Sequence, residues 1–135
     1  MNVMVCLDDR CGMAFHHRRQ SRDRFVVNDL ISQCGERRLL IEPYSTPLFE
    51  GFDKETVADS DFLSNARLSD YCFVERQGIR PVLSKIKQII VYRWNRVYPA
   101  DLYFDIDLSK GWKRILVTDF AGYSHKKITK EIYIR

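Results

Sequence analysis

The stretch His16-His17-Arg18-Arg19-Gln20-Ser21-Arg22-Asp23-Arg24 is the densest run of polar side chains in the chain. Guanidinium groups grip phosphates and carboxylates through paired N–H donors, and the free N–H groups of a helix start add to that field. Arg18, Arg19, Arg22 and Arg24 are therefore candidate anion-binding residues, for a phosphorylated or heterocyclic small molecule or for an RNA backbone. The plainer reading of the same run is a solvated loop and an exposed helix start. Adjacent histidines on an extended chain point to opposite sides, so His16 and His17 are not expected to share a metal. Cys6, Cys11, Cys34 and Cys72 contain no C-x-x-C pair with matching histidines, so no zinc site is expected and buried, reduced thiols are the expected state. Arg93-Trp94-Asn95-Arg96, with Tyr92 and Tyr98, mixes cations and rings that could stack on nucleobases, or forms a strand with alternate residues turned inward. Asp101, Asp105 and Asp107 lack the glycine and terminal glutamate of a calcium loop and read as turn and cap residues. Ser124-His125 offers a hydroxyl beside an imidazole, but adjacency does not place a base on its neighbour's hydroxyl, and no third group is identifiable.

These groups need a scaffold. Met1–Leu7 (MNVMVCL) is a continuous apolar run that suits a strand buried on both faces. Residues 13–20 read as a loop, Ser21 as a helix N-cap with Asp23 in the first turn, and Phe25, Val26, Leu30, Ile31 and Cys34 recur at helical spacing. A helix is expected over 22–34, with Gly35 just beyond its end. RLLIE at 38–42 predicts a strand stopped by Pro43, and Thr46-Pro47 and Glu50-Gly51 mark turns. A short strand near 56–58 and a short helix at 61–66 follow. Asp70–Glu75 is a strand by alternation, 79–86 a helical turn or two, and 87–95 the clearest strand. Two more strands, 112–119 and 126–135, flank a turn at Gly122. Alternation of strand and helix followed by strands predicts an α/β fold, with one twisted, mostly parallel sheet, flanking helices and an antiparallel C-terminal strand pair.

The 135 residues suit one domain over 1–135. An apolar fraction of 45% and a charged fraction of 30% are those of a folded protein rather than a disordered one. No apolar run is long enough to span a bilayer, and the first residues lack the basic start and cleavage site of a signal peptide, so a cytoplasmic location is expected. Residues 68–135 carry 13 Lys/Arg against 7 Asp/Glu, so the modest positive charge sits in the second half. That is too small an excess to define a nucleic-acid protein.

With these elements in place, the chain resembles a shortened dihydrofolate reductase. MNVMVCLDDRCGMAF is similar to that family's opening strand and the turn behind it, with Asp8, Asp9 and Gly12-Met13 in the places of the acidic-Asn and Gly-Met steps. RLLIEPYSTPLF resembles the second strand, with Pro43 in place of a glycine and Ser45 or Thr46 at the hydroxyl position. DYCFVERQGIRPVLSKIKQIIVYRWNRVYPADLYFDIDLSKGW follows the family's later strand, short helix, strand and loop, and HKKITKEIYIR its final strand.

The resemblance implies binding of NADPH and a pterin, with the acid facing the pterin at Asp23 if one residue is skipped (without a gap the position is Arg24), and Ser45, Thr46 and Arg76 toward the cofactor. The departures weigh against hydride transfer. The segment between Phe49 and Glu55 lacks the helix and strand that hold cofactor phosphates in the family. Where the family follows its strand with Gly-Gly, Val74 is followed by Glu75 and Arg76, whose side chains would block close approach of a dinucleotide. The expectation is a domain without hydride transfer, and so without a cofactor, that binds a small anionic or heterocyclic ligand or a protein partner. The alternatives are a divergent NADPH-dependent reductase and an RNA-binding or RNA-processing-associated protein. Short chains of this kind can carry the label ribonuclease Z. That zinc hydrolase needs two His separated by one residue and then an Asp-His pair, which His16, His17 and His125 cannot supply. An exposed sheet edge would leave room for a homodimer.

Overall fold

A computed structural model describes all residues 1–135. Strands β1 (Asn2–Leu7), β4 (Leu39–Ile41), β5 (Thr56–Ala58), β6 (Tyr71–Val74), β7 (Gln88–Arg93), β9 (Lys113–Phe120) and β10 (Ile128–Ile134) form one sheet in the order β5-β4-β6-β1-β7-β10-β9. The first five of these in spatial order run parallel, while β10 is antiparallel to both β7 and β9. The expected mostly parallel sheet with an antiparallel C-terminal pair is therefore the observed one.

The unbroken apolar run at the N-terminus is explained by its place. β1 lies between β6 and β7, so both of its faces are covered. Val3, Val5 and Leu7 enter a core closed by Phe62, Ile79 and Ile86, while Met4 enters a second core on the opposite face with Val26, Leu30, Ile90 and Tyr92. Helix α1 (Arg24–Cys34) closes the second core, and the short α2 (Phe62–Asn65) and a 3-10 segment at Arg80–Lys85 close the first. Burying an aromatic ring or a branched aliphatic side chain in this way contributes about 2 kcal/mol each. β6 is likewise buried throughout, so the alternation read at 70–75 reflects residue type and not one wet face.

Several local expectations are corrected. Residues 13–20 are not a loop. Strands β2 (Gly12–Phe15) and β3 (Arg18–Arg19) form a tight hairpin, and β8 (Leu102–Tyr103) pairs with β2 to complete a small second sheet. His16 and His17 are the turn residues of that hairpin and not an extended pair, with φ of 50° and 61°. A two-residue turn with both φ values positive follows strand twist but favours Asn-Gly. The double substitution His16→Asn/His17→Gly is expected to stabilise the protein by about 1 kcal/mol and raise its melting temperature by about 4 °C. An unchanged or lower melting temperature in a thermal scan would contradict the turn assignment.

The helix N-cap is Asp23, whose carboxylate accepts from the Phe25 N–H, and not Ser21. Pro43 does more than stop β4. It begins a 3-10 turn over Pro43–Phe49 that contains Thr46-Pro47. From there residues 50–55 lead directly to β5 through Gly51, whose φ is +82°. Cys11 is exposed and Cys6 half-buried, so only Cys34 and Cys72 are the buried thiols expected. Burial pushes the Cys34 thiol up to about 11 and Cys72 up to about 12, which keeps both protonated. The outer strand β9 is exposed along nearly its whole length, and its register with β10 slips by one residue near Ile115. Such a bulge twists an open edge away from further pairing.

Candidate functional site

In open α/β sheets the default binding cleft lies beyond the C-terminal ends of the strands. Here β1, β6 and the start of α1 converge on that place. Glu75 follows β6 directly and turns inward, with 8% of its surface exposed. Its carboxylate accepts two hydrogen bonds from Arg19, at 2.8 and 3.0 Å, and one from the Ser45 hydroxyl at 2.7 Å. The Arg19 guanidinium also lies over the Tyr44 ring. Together these groups fill the cleft. The space left between them, Cys6, Val26, Phe73 and Trp94 is about 20 Å³, enough for one water molecule.

Arg76, next in the chain, faces the other way. It donates to Glu42 at 2.7 Å and to the His17 carbonyl at 2.9 Å, and its guanidinium stacks 3.8 Å above the Tyr44 ring. Arg19, Ser45 and Arg76, singled out in the sequence, thus gather around Tyr44, and each is engaged by a group of the protein itself. Thr46 is exposed and stands apart from them.

The second feature is built around Asp23, which is 4% exposed. Besides capping α1, it accepts from the N–H groups of Tyr123 and Ser124, both at 2.9 Å, and from His125 Nδ1 at 2.9 Å. Gly122 permits this approach, because a Cβ there would lie 2.7 Å from the Asp23 carboxylate. His125 is buried and stacked on Trp94, with ring centres 4.7 Å apart. Its Nε2 faces the Tyr98 hydroxyl at 2.9 Å and the Ser21 hydroxyl at 3.1 Å. Trp94 is therefore inside the fold and not on a base-stacking surface. Sequence reading missed His125, Tyr98 and Trp94 as a unit because Asp23 and His125 lie 102 residues apart. The glycine two residues before Ser124-His125 was the only local sign of a close approach.

Burial alone would raise the Asp23 carboxyl, but the Tyr123 N–H, the His125 imidazole and the Ser124 and Phe25 N–H groups together hold it down to about 2. Asp8 is buried too, and N–H donors from Gly12, Arg10 and Tyr98 and the Gln20 amide more than offset that burial and lower it. A carboxylate with a folded-state pKa below its unfolded value stabilises the fold above about pH 4 and loses that contribution as pH falls toward 2. Asp23 alone contributes about 2 kcal/mol of this. The melting temperature is expected to hold from pH 7 to 5 and to fall steeply between pH 4 and 2. A flat profile there would contradict the network.

Arg18, Arg22 and Arg24 are exposed and have no carboxylate partner. Arg22 and Arg24 border an open groove of about 450 Å³ at the start of α1, whose far wall is Leu48, Glu50 and Phe52. Arg18 lies on a separate groove of about 490 Å³ with Phe15, His16 and Tyr98. The polar run of the sequence is therefore divided between two surfaces, with Arg19 committed to the interior.

No protein-family model and no curated protein matches the sequence. Among solved structures, a dihydrofolate reductase from Enterococcus faecalis, complexed with NADP(H) and RAB-propyl, superposes with a TM-score of 0.68. The match spans 99% of this chain and 95% of that one at 10% sequence identity. The fold is that of dihydrofolate reductase. At that identity the likeness describes backbone arrangement and leaves activity to the side chains.

Those side chains pack against one another beyond the end of β6. The Glu75–Arg19–Ser45 cluster occupies the cleft there and leaves room for about one water. A pyrophosphate beside Glu75 would also meet a carboxylate. At Gly78, the next glycine, a Cβ would lie 2.3 Å from Asp105, which caps the turn at Ile79 and Arg80. This glycine serves packing of the β8 loop.

Proposed function

We propose that this dihydrofolate reductase-like domain binds a small anionic ligand at the start of α1 and does not transfer hydride. The filled cleft carries the reading: Glu75, Arg19 and Ser45 hold one another where a reductase of this fold would need space. Arg22 and Arg24 support the anion site, since both lack carboxylate partners and border the same groove beside a helix start. Glu50 and Asp23, which also line the groove, limit the negative charge it tolerates and favour a ligand with one anionic end.

Isothermal titration with inorganic pyrophosphate, paired with a spectrophotometric assay of NADPH oxidation by dihydrofolate, tests this. Saturable pyrophosphate binding that disappears in Arg22→Ala/Arg24→Ala is the expected result, with no dihydrofolate-dependent oxidation. Turnover of NADPH would establish the divergent reductase instead. Pyrophosphate binding that persists in the double variant would remove the site from α1.

A further inference from the structure

Ser21, His125 and Asp23 form a relay that the functions above leave unused. His125 Nδ1 lies 2.9 Å from a carboxylate oxygen of Asp23, and Nε2 lies 3.1 Å from the Ser21 hydroxyl. An imidazole that donates from Nδ1 to a carboxylate presents a bare Nε2, which is the tautomer that can accept a proton from a hydroxyl. The carboxylate is itself fixed by the Tyr123, Ser124 and Phe25 N–H groups, and the imidazole by Trp94. Acid, base and hydroxyl are thus held in the order and spacing that activates a serine.

The chain around Ser21 supplies what an attack on a carbonyl would need next. Ser21 is half-buried and borders the cavity of about 20 Å³ beneath Trp94. The backbone N–H groups of Arg22 and Asp23, between the serine and α1, donate to no acceptor in the protein. Free N–H groups beside a nucleophile at a helix start can stabilise an oxyanion. From this geometry we infer that Ser21 is the nucleophile of an acyl-transfer site that hydrolyses small carboxylic esters. The space beside Ser21 is about the size of one water, so the site favours the smallest acyl groups.

In the first half-reaction the Ser21 oxygen bonds to the ester carbonyl carbon and its proton passes to His125 Nε2. The carbon–oxygen bond to the alcohol then breaks, and that oxygen takes the proton from Nε2. In the second, water adds to the acyl carbon and gives its proton to Nε2. The bond to Ser21 then breaks, and the serine oxygen recovers the proton as the carboxylic acid leaves. Asp23 touches no substrate atom and acts as a positioning residue for the imidazole. Tyr98 also points its hydroxyl at Nε2, so it competes with Ser21 for the base.

The test uses the whole protein with p-nitrophenyl acetate, following p-nitrophenol release and locating any acetyl group by peptide mass mapping. Ser21→Ala, whose fold is checked by circular dichroism, is expected to lower release roughly a hundredfold, and the acetyl group is expected on Ser21. Tyr98→Phe leaves Nε2 to the serine alone and is expected to raise the rate, and p-nitrophenyl butyrate to react more slowly than the acetate. Release that is unchanged in a folded Ser21→Ala variant, or acetyl found only on other residues, would overturn the assignment. A Tyr98→Phe rate below wild type would mark the tyrosine as the activated group, and butyrate reacting as fast as acetate would contradict the acyl-size limit. None of these outcomes depends on the anion site, because pyrophosphate binding at Arg22 and Arg24 is read separately.

Discussion

Replacing Asp23 by alanine is expected to lower the stability of the domain by about 4 kcal/mol, as measured by urea denaturation. One carboxylate holds together three parts of the chain that local sequence leaves independent. It caps α1 through the Phe25 N–H, anchors the segment between β9 and β10 through the Tyr123 and Ser124 N–H groups, and orients His125. The cap alone is worth about 1 kcal/mol. Most of the rest is the cost of leaving buried N–H donors and an imidazole without an acceptor. Asp23→Asn keeps a capping oxygen and loses the charge, so it should cost roughly half as much, about 2 kcal/mol. A loss below about 1 kcal/mol for Asp23→Ala would show that the contacts to the C-terminal segment are not maintained in solution.

The second large effect lies at Glu75. Glu75→Ala is expected to cost about 3 kcal/mol, because it strands the Arg19 guanidinium and the Ser45 hydroxyl inside the cleft. The double variant Arg19→Met/Glu75→Leu should recover most of that loss. Its side chains match the apolar lining of Cys6, Met13, Val26 and Phe73, and a buried ion pair is often no more stable than packed apolar groups. A double-mutant cycle should return a coupling of about 2 kcal/mol between Arg19 and Glu75. Coupling near zero would place Arg19 in solvent and the cleft open.

The sheet was readable from the sequence where burial imposes a pattern. The uninterrupted run of β1 follows from its place between two parallel neighbours, and Gln88–Arg93 and the C-terminal pair carry enough branched and aromatic residues to declare themselves. The β2–β3 hairpin was hidden because its turn uses two histidines where Asn-Gly would announce it, and because its strands are short and half polar. The position of Glu75 after β6 was legible. Its partners were not. Pairing with Arg19 joins residues 56 apart, and no local period encodes that. The same holds for His125, which reads as an ordinary turn histidine until the fold brings it to Asp23, Tyr98 and Ser21. Arg18, Arg19, Arg22 and Arg24 form one cluster in the sequence. In the fold they separate, because a hairpin turns alternate residues to opposite sides and α1 begins directly behind it.

The account rests on a cleft closed by the protein's own side chains, and titration with NADPH reads that closure directly. Trp94 borders the cleft and reports on its filling through indole fluorescence. Absence of saturable quenching in the wild type is the result predicted. Saturable binding in the micromolar range, matched by calorimetry, would mean that Glu75 and Arg19 part to admit the cofactor, and would contradict the account.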